Sequence, residues 1–200
     1  MTHVRVHIRE PYRAYESHIR ALHRCLDAPG VALHSGRNLI RTMTIDGLSG
    51  ESIEVVVKAF AVPARPRAFV YARLRRSKAW RSMVHAEKLL ALGIGTPDPI
   101  GCIEYEEVGC LRESYYICRY WPPDVDLAAL LYRGGSLGKR TDALLEQLAR
   151  FTCLQHDKGV LHRDYNPGNI LVRLRGKRFE FVLVDLNRLR FYTVDAGDRV

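Results

Sequence analysis

The stretch GVLHRDYNPGNILV, Gly159 to Val172, decides how this 200-residue chain is read. Two apolar runs flank a polar segment in which a carboxylate, Asp164, and a carboxamide, Asn169, stand five residues apart. The Asn, Pro and Gly between them are turn formers, so the segment alone is compatible with a plain loop. Its spacing, H-R-D-x-x-x-x-N, is also that of a loop serving phosphoryl transfer. The rest of the chain has to choose between the two.

Working outward, three more features fall in a fixed order. Lys58 ends the β-branched run VVVK, Glu87 lies in the helical pattern that follows, and Asp185 ends the apolar run FVLVD. Each suits one task. A lysine on a rigid strand neutralises phosphate charge if a glutamate from a neighbouring helix fixes its ammonium, so a Lys58–Glu87 ion pair is expected. Asp185 and the carboxamide oxygen of Asn169 are hard oxygen donors of the kind Mg2+ prefers. Asp164 is placed to orient an attacking hydroxyl and accept its proton, with His162 and Arg163 expected as supports of the loop. Taken singly, a strand-end lysine or a helical glutamate is ordinary surface chemistry. In this order they match the parts of a kinase-like site.

The surrounding pattern agrees. Val31–Ile45 and Ser52–Phe60 read as strands, and Ala68–Leu92 as a helix stopped by GIGTPDP. Ile100–Val108 and Ser114–Trp121 read as further strands. Helices are expected within Asp124–Gly134 and Gly138–Gly159, and a hairpin from Asn169–Gly176 and Phe179–Leu189. The expected class is α+β: a β-rich lobe over residues 1–121 and a more helical one over 122–200.

Bulk properties narrow the setting. Hydrophobic residues make up 47% and charged residues 26%, a globular composition. No apolar run reaches a membrane span, and the charged first 25 residues lack a signal-peptide core. Five scattered cysteines and eight histidines without metal-ligand spacing point to a reducing cytoplasm and no zinc site. The net charge of +9 favours anionic partners, and the densest basic stretch is Arg65–Arg81. No nucleic-acid motif accompanies the charge, so no nucleic-acid partner is expected.

Several stretches resemble the lipopolysaccharide kinase (Kdo/WaaP) family: HSGRNLIR, VVVKAFAVP, RRSKAWRS, AEKLLALGIGTPDPIG, SYYICRY, LHRDYNPGNILV and VDLNRLRF. The resemblance spans about His34 to Phe191. It implies a protein-kinase-like fold using ATP and Mg2+ to phosphorylate a heptose or Kdo hydroxyl of the lipopolysaccharide inner core. It places the protein at the cytoplasmic face of the inner membrane, in peripheral contact with anionic lipid. Three features depart from the kinase pattern. HSGRN offers Gly36, helped by Arg37, in place of G-x-G-x-x-G. The usual D-F-G is Asp185-Leu186-Asn187, which implies a stiffer segment. Only residues 186–200 follow Asp185, so a truncated or minimal C-terminal lobe is expected. A protein Ser/Thr kinase and a catalytically silent nucleotide-binding scaffold are the alternatives.

Overall fold

The computed structural model describes residues 2–25, 32–35, 38–61 and 76–192. These fall into two compact units, one within residues 1–84 and 98–120, the other within 85–97 and 121–200.

The first unit is built on six strands: β1 (Thr2–Ile8), β2 (Ala32–Ser35), β3 (Leu39–Asp46), β4 (Ser52–Ala59), β5 (Pro99–Glu107) and β6 (Cys110–Arg119). Their order is β1-β5-β6-β4-β3-β2, with every neighbouring pair antiparallel. Val55, Val57, Ile103 and Ile117 face one way and bury against Ile19 and Leu22 of α1 (Glu16–Cys25). Full burial of such a side chain stabilises by roughly 1.5–3 kcal/mol. Strand alternation turns Lys58 to the opposite face, where Ile40 and Tyr116 stand across from it on β3 and β6.

Two features of this unit differ from the sequence reading. The first 25 residues, read only as lacking a leader, form β1 and α1. Charges hide the strand: Arg5 pairs with Glu106 and Arg9 with Asp98, so the two arginines of THVRVHIR have partners. Gly101, opposite Ile8, makes the pairing possible, because a Cβ there would stand 2.5 Å from the His7 carbonyl oxygen. Second, Val31–Ile45 is not one strand but two, with Ala32 opposite Arg41 and Ser35 opposite Leu39. The two strands pair antiparallel, and Asn38 before the second accepts a hydrogen bond from the Ala61 N–H at 3.3 Å.

Helix α2 (Lys78–Ala91) contributes to both units. Ser77 caps it by accepting the Trp80 N–H at 3.0 Å, and Ala79, Met83, Ala86 and Leu89 form its buried stripe. The expected start at Ala68 lies outside the described residues. At the other end Gly93 is left-handed (φ 70°). Its N–H bonds to the Leu90 carbonyl, and that of buried Ile94 to Leu89. This paired closure is why GIG stops the helix there.

The second unit holds α3 (Leu127–Tyr132), α4 (Thr141–Asp157), β7 (Val160–His162), β8 (Ile170–Arg175), β9 (Arg178–Leu183) and β10 (Leu189–Phe191). The expected hairpin is β8–β9, turned at Gly176. Its second strand stops at Leu183, six residues before the expected Leu189, because Asp185 adopts a left-handed conformation (φ 56°, ψ 51°). A 3-10 turn, Leu186–Arg188, follows, and the chain then pairs as β10 with β7. On the other side of the hairpin, Phe151 of α4 stacks on Phe181 with ring centroids 5.4 Å apart.

Candidate functional site

The loop between β7 and β8 is fixed mainly through its main chain. His162 is buried; its Nδ1 accepts the Asp164 N–H at 3.2 Å, and its Nε2 lies 3.0 Å from the Val184 carbonyl oxygen. Only the neutral tautomer with the proton on Nε2 satisfies both bonds. The Val184 N–H in turn reaches the Asn169 carbonyl at 3.0 Å. With Ile170 opposite Leu183 in the hairpin, Asp185 follows directly beyond the point that faces Asn169. Tyr165 anchors the loop to α4, its hydroxyl 2.6 Å from Thr152 Oγ1 and 3.4 Å from Gln155 Nε2.

Within the loop, Asn166 caps the short turn Pro167–Asn169 by accepting the Gly168 N–H at 2.9 Å. The Asp164 carbonyl accepts from both Asn166 Nδ2 (3.0 Å) and Asn169 Nδ2 (2.8 Å). The second bond fixes the roles within the Asn169 carboxamide: Nδ2 is committed to Asp164, and the oxygen is the acceptor end. The Asp164 carboxylate is held loosely, 3.5 Å from Asn166 Nδ2 and 3.6 Å from the Arg188 guanidinium, with 43% of the side chain exposed. A carboxylate so placed keeps acceptor capacity for a substrate hydroxyl. Arg163 is exposed and forms no hydrogen bond or ion pair with the described residues, so of the two expected supports only His162 acts as one.

Asp185 is held from its own turn, where buried Asn187 donates through Nδ2 to Asp185 Oδ1. The carbonyl of buried Leu186 lies 2.7 Å from His85 Nδ1 on α2, and the His85 ring meets Phe191 edge-on at 5.3 Å. The segment after Asp185 is therefore tied both to α2 and, through β10, to β7. These donors fit a divalent cation of the Mg2+ kind: one carboxylate and one carboxamide oxygen, with phosphate and water to complete an octahedron. No group of three or more His, Cys, Asp or Glu among the described residues forms a self-sufficient metal site.

In the first unit Lys58 is buried to 8% exposure, its ammonium 5.4 Å from the Phe60 ring centroid. Its charge acts on Cys118: burial pushes that thiol up to about 12, and Lys58 opposes the rise. Glu87 is half-buried, in the part of α2 that belongs to the second unit. Gly36 and Arg37 lie outside the described residues. A cavity of about 410 Å3 opens in the second unit beside Phe151, Leu154, Phe179 and Phe181; none of the candidate residues lines it.

The sequence reading missed Tyr165, His85, Asn187 and Arg188. Asn187 carried a signal, as the residue replacing glycine in D-F-G. Arg188 carried only its place in VDLNRLRF, since nothing in sequence spacing puts residue 188 beside residue 164.

Comparison with known proteins bears on the fold and the family. A solved structure of WaaP in complex with acyl carrier protein shares 19% identity, covering 94% of this chain and 73% of its own, at a TM-score of 0.60. The Rio2 kinase–ADP/Mg2+–phosphoaspartate complex from Chaetomium thermophilum shares 15% identity, covering 86% of this chain, at a TM-score of 0.53. This chain spans about half of that one, 52%. At such identities the likeness is one of fold alone, a mixed α/β fold of the protein-kinase-like kind. No curated protein sequence matches. The lipopolysaccharide kinase (Kdo/WaaP) family model, however, matches residues 67–199, which takes in α2, the β7–β8 loop and Asp185, and the chain therefore belongs to that family.

Proposed function

We propose that the protein is an ATP-dependent kinase that phosphorylates a sugar hydroxyl, on heptose or Kdo, of the lipopolysaccharide inner core. The observation that carries the reading is the bond from Asn169 Nδ2 to the Asp164 carbonyl. It leaves the carboxamide oxygen as the acceptor end for a cation and the Asp164 carboxylate loosely held for a hydroxyl. In this reading Asp164 orients the acceptor hydroxyl and takes its proton, and Asn169 and Asp185 hold Mg2+. That ion would shield the charge of the nucleotide phosphates. Lys58, paired with Glu87, steadies the same phosphates, and Gly36 and Arg37 contribute from the β2–β3 connection. Among the described residues no helix is long and apolar enough to cross a membrane. The glycolipid is met at the anionic inner-membrane surface, a reading supported by the net charge of +9, with the basic stretch Arg65–Arg81 as the contact.

The test is transfer of radiolabelled phosphate from ATP to purified inner-core glycolipid. Asp164→Asn should lose roughly 10²–10⁴-fold in turnover with nucleotide affinity near wild type. Asn169→Ala should weaken the Mg2+-dependent part of ATP binding as well. Wild-type turnover in a folded Asp164→Asn protein would end this reading.

A further inference from the structure

We propose that Arg188 is a further catalytic residue, whose guanidinium binds the phosphoryl group as it moves from ATP to the acceptor hydroxyl; the inference rests on the kinase reading above. Its terminal nitrogen lies 3.6 Å from Asp164 Oδ2, and the side chain is 60% exposed. An exposed ion pair of that length adds little to stability, so the placement has no structural work to account for it. A guanidinium carries five N–H donors in a planar fork suited to phosphate oxygens. Here one end faces Asp164 and the rest faces solvent. The backbone beneath it is fixed: the Leu189 N–H bonds to the Leu186 carbonyl, Leu189 pairs with His162, and His85 holds Leu186. Arg188 thus projects from the turn that begins at Asp185 and ends beside the proposed base.

Phosphoryl transfer spreads charge over three equatorial oxygens, and a cation aimed at them lowers the barrier. The loop from Asp164 to Asn169 contains no lysine or arginine, and exposed Arg163 before it forms no hydrogen bond or ion pair with the described residues. Within the second unit, the cation that the described residues place on the Asp164 carboxylate is Arg188. In the step itself the acceptor oxygen bonds to the γ-phosphorus while the bond from that phosphorus to the β–γ bridging oxygen breaks. The bond pair stays on ADP, the hydroxyl proton passes to Asp164, and Arg188 binds the equatorial oxygens throughout.

The experiment compares two probes on wild type, Arg188→Ala and Arg188→Lys, each checked for a wild-type melting temperature. One is a non-hydrolysable ATP analogue with Mg2+; the other is ADP, Mg2+ and aluminium fluoride, which mimics the phosphoryl group in flight. Arg188→Ala should bind the ATP analogue within about threefold of wild type, but lose roughly 10²–10³-fold in fluoroaluminate-complex affinity and in turnover. Arg188→Lys should recover part of both. Equal losses for the two probes, or wild-type affinity and turnover in Arg188→Ala, would overturn the proposal. If wild type itself binds neither probe, the kinase reading fails and takes this inference with it.

Discussion

Replacing His162 by Phe keeps an aromatic ring, slightly larger than the imidazole, and removes both of its hydrogen bonds. The Val184 carbonyl and the Asp164 N–H would each lose a partner that lies at 3.0 and 3.2 Å in the native protein. A buried polar group left unsatisfied costs about 1–3 kcal/mol. His162 is 4% exposed, so water does not readily take its place, although half-buried Asp164 can recruit some. The expected loss is about 2–4 kcal/mol, a drop in melting temperature on the order of 10 °C for a chain of this length. Urea unfolding at neutral pH measures it, provided the slope with denaturant stays constant so that the midpoint reports stability. A His162→Phe protein within about 0.5 kcal/mol of wild type would mean that these bonds do not hold the loop.

Asn187→Ala removes the donor to Asp185, and a bond to a charged acceptor is worth about 1.5–3 kcal/mol. The Mg2+ dependence of ATP-analogue binding should weaken by roughly 10- to 100-fold in a cation titration, and an unchanged titration would contradict the role given to Asn187. Burial, with a hydrogen bond to Asp98, pushes Tyr12 from 10.0 up to about 12. The unfolded chain releases this proton from about pH 10 and the folded chain only near 12, so the stability it supplies is complete below pH 10 and lost as pH rises to 12. Tyr12→Phe should therefore lose less stability than wild type between urea midpoints taken at about pH 9 and about pH 11; identical slopes would refute this. Ser77→Ala should cost about 1 kcal/mol through loss of the α2 cap, read from the same unfolding curves.

How much was legible depends on whether the determinant was local. HRDYNPGN declares itself because its chemistry is fixed by spacing within one loop, and the β8–β9 hairpin because Gly176 supplies a left-handed turn between alternating apolar runs. Strand β1 did not declare itself. Its charges are satisfied by Glu106 and Asp98, about ninety to a hundred residues away, and short-range periodicity cannot see such partners. Likewise FVLVDLNRL reads as one continuous strand, since a left-handed Asp185 carries no local mark of the kind glycine gives. Arg188 meets Asp164 only because β10 folds back on β7.

Val184 holds the β7–β8 loop with its peptide groups alone, its N–H on Asn169 and its carbonyl on His162. Any half-buried side chain that fits there leaves these two bonds intact, except that of proline, which has no N–H to give. A position of this kind looks unconstrained in any comparison of residue identities. Its importance would surface only as one missing letter, a proline that lineages keep failing to accept.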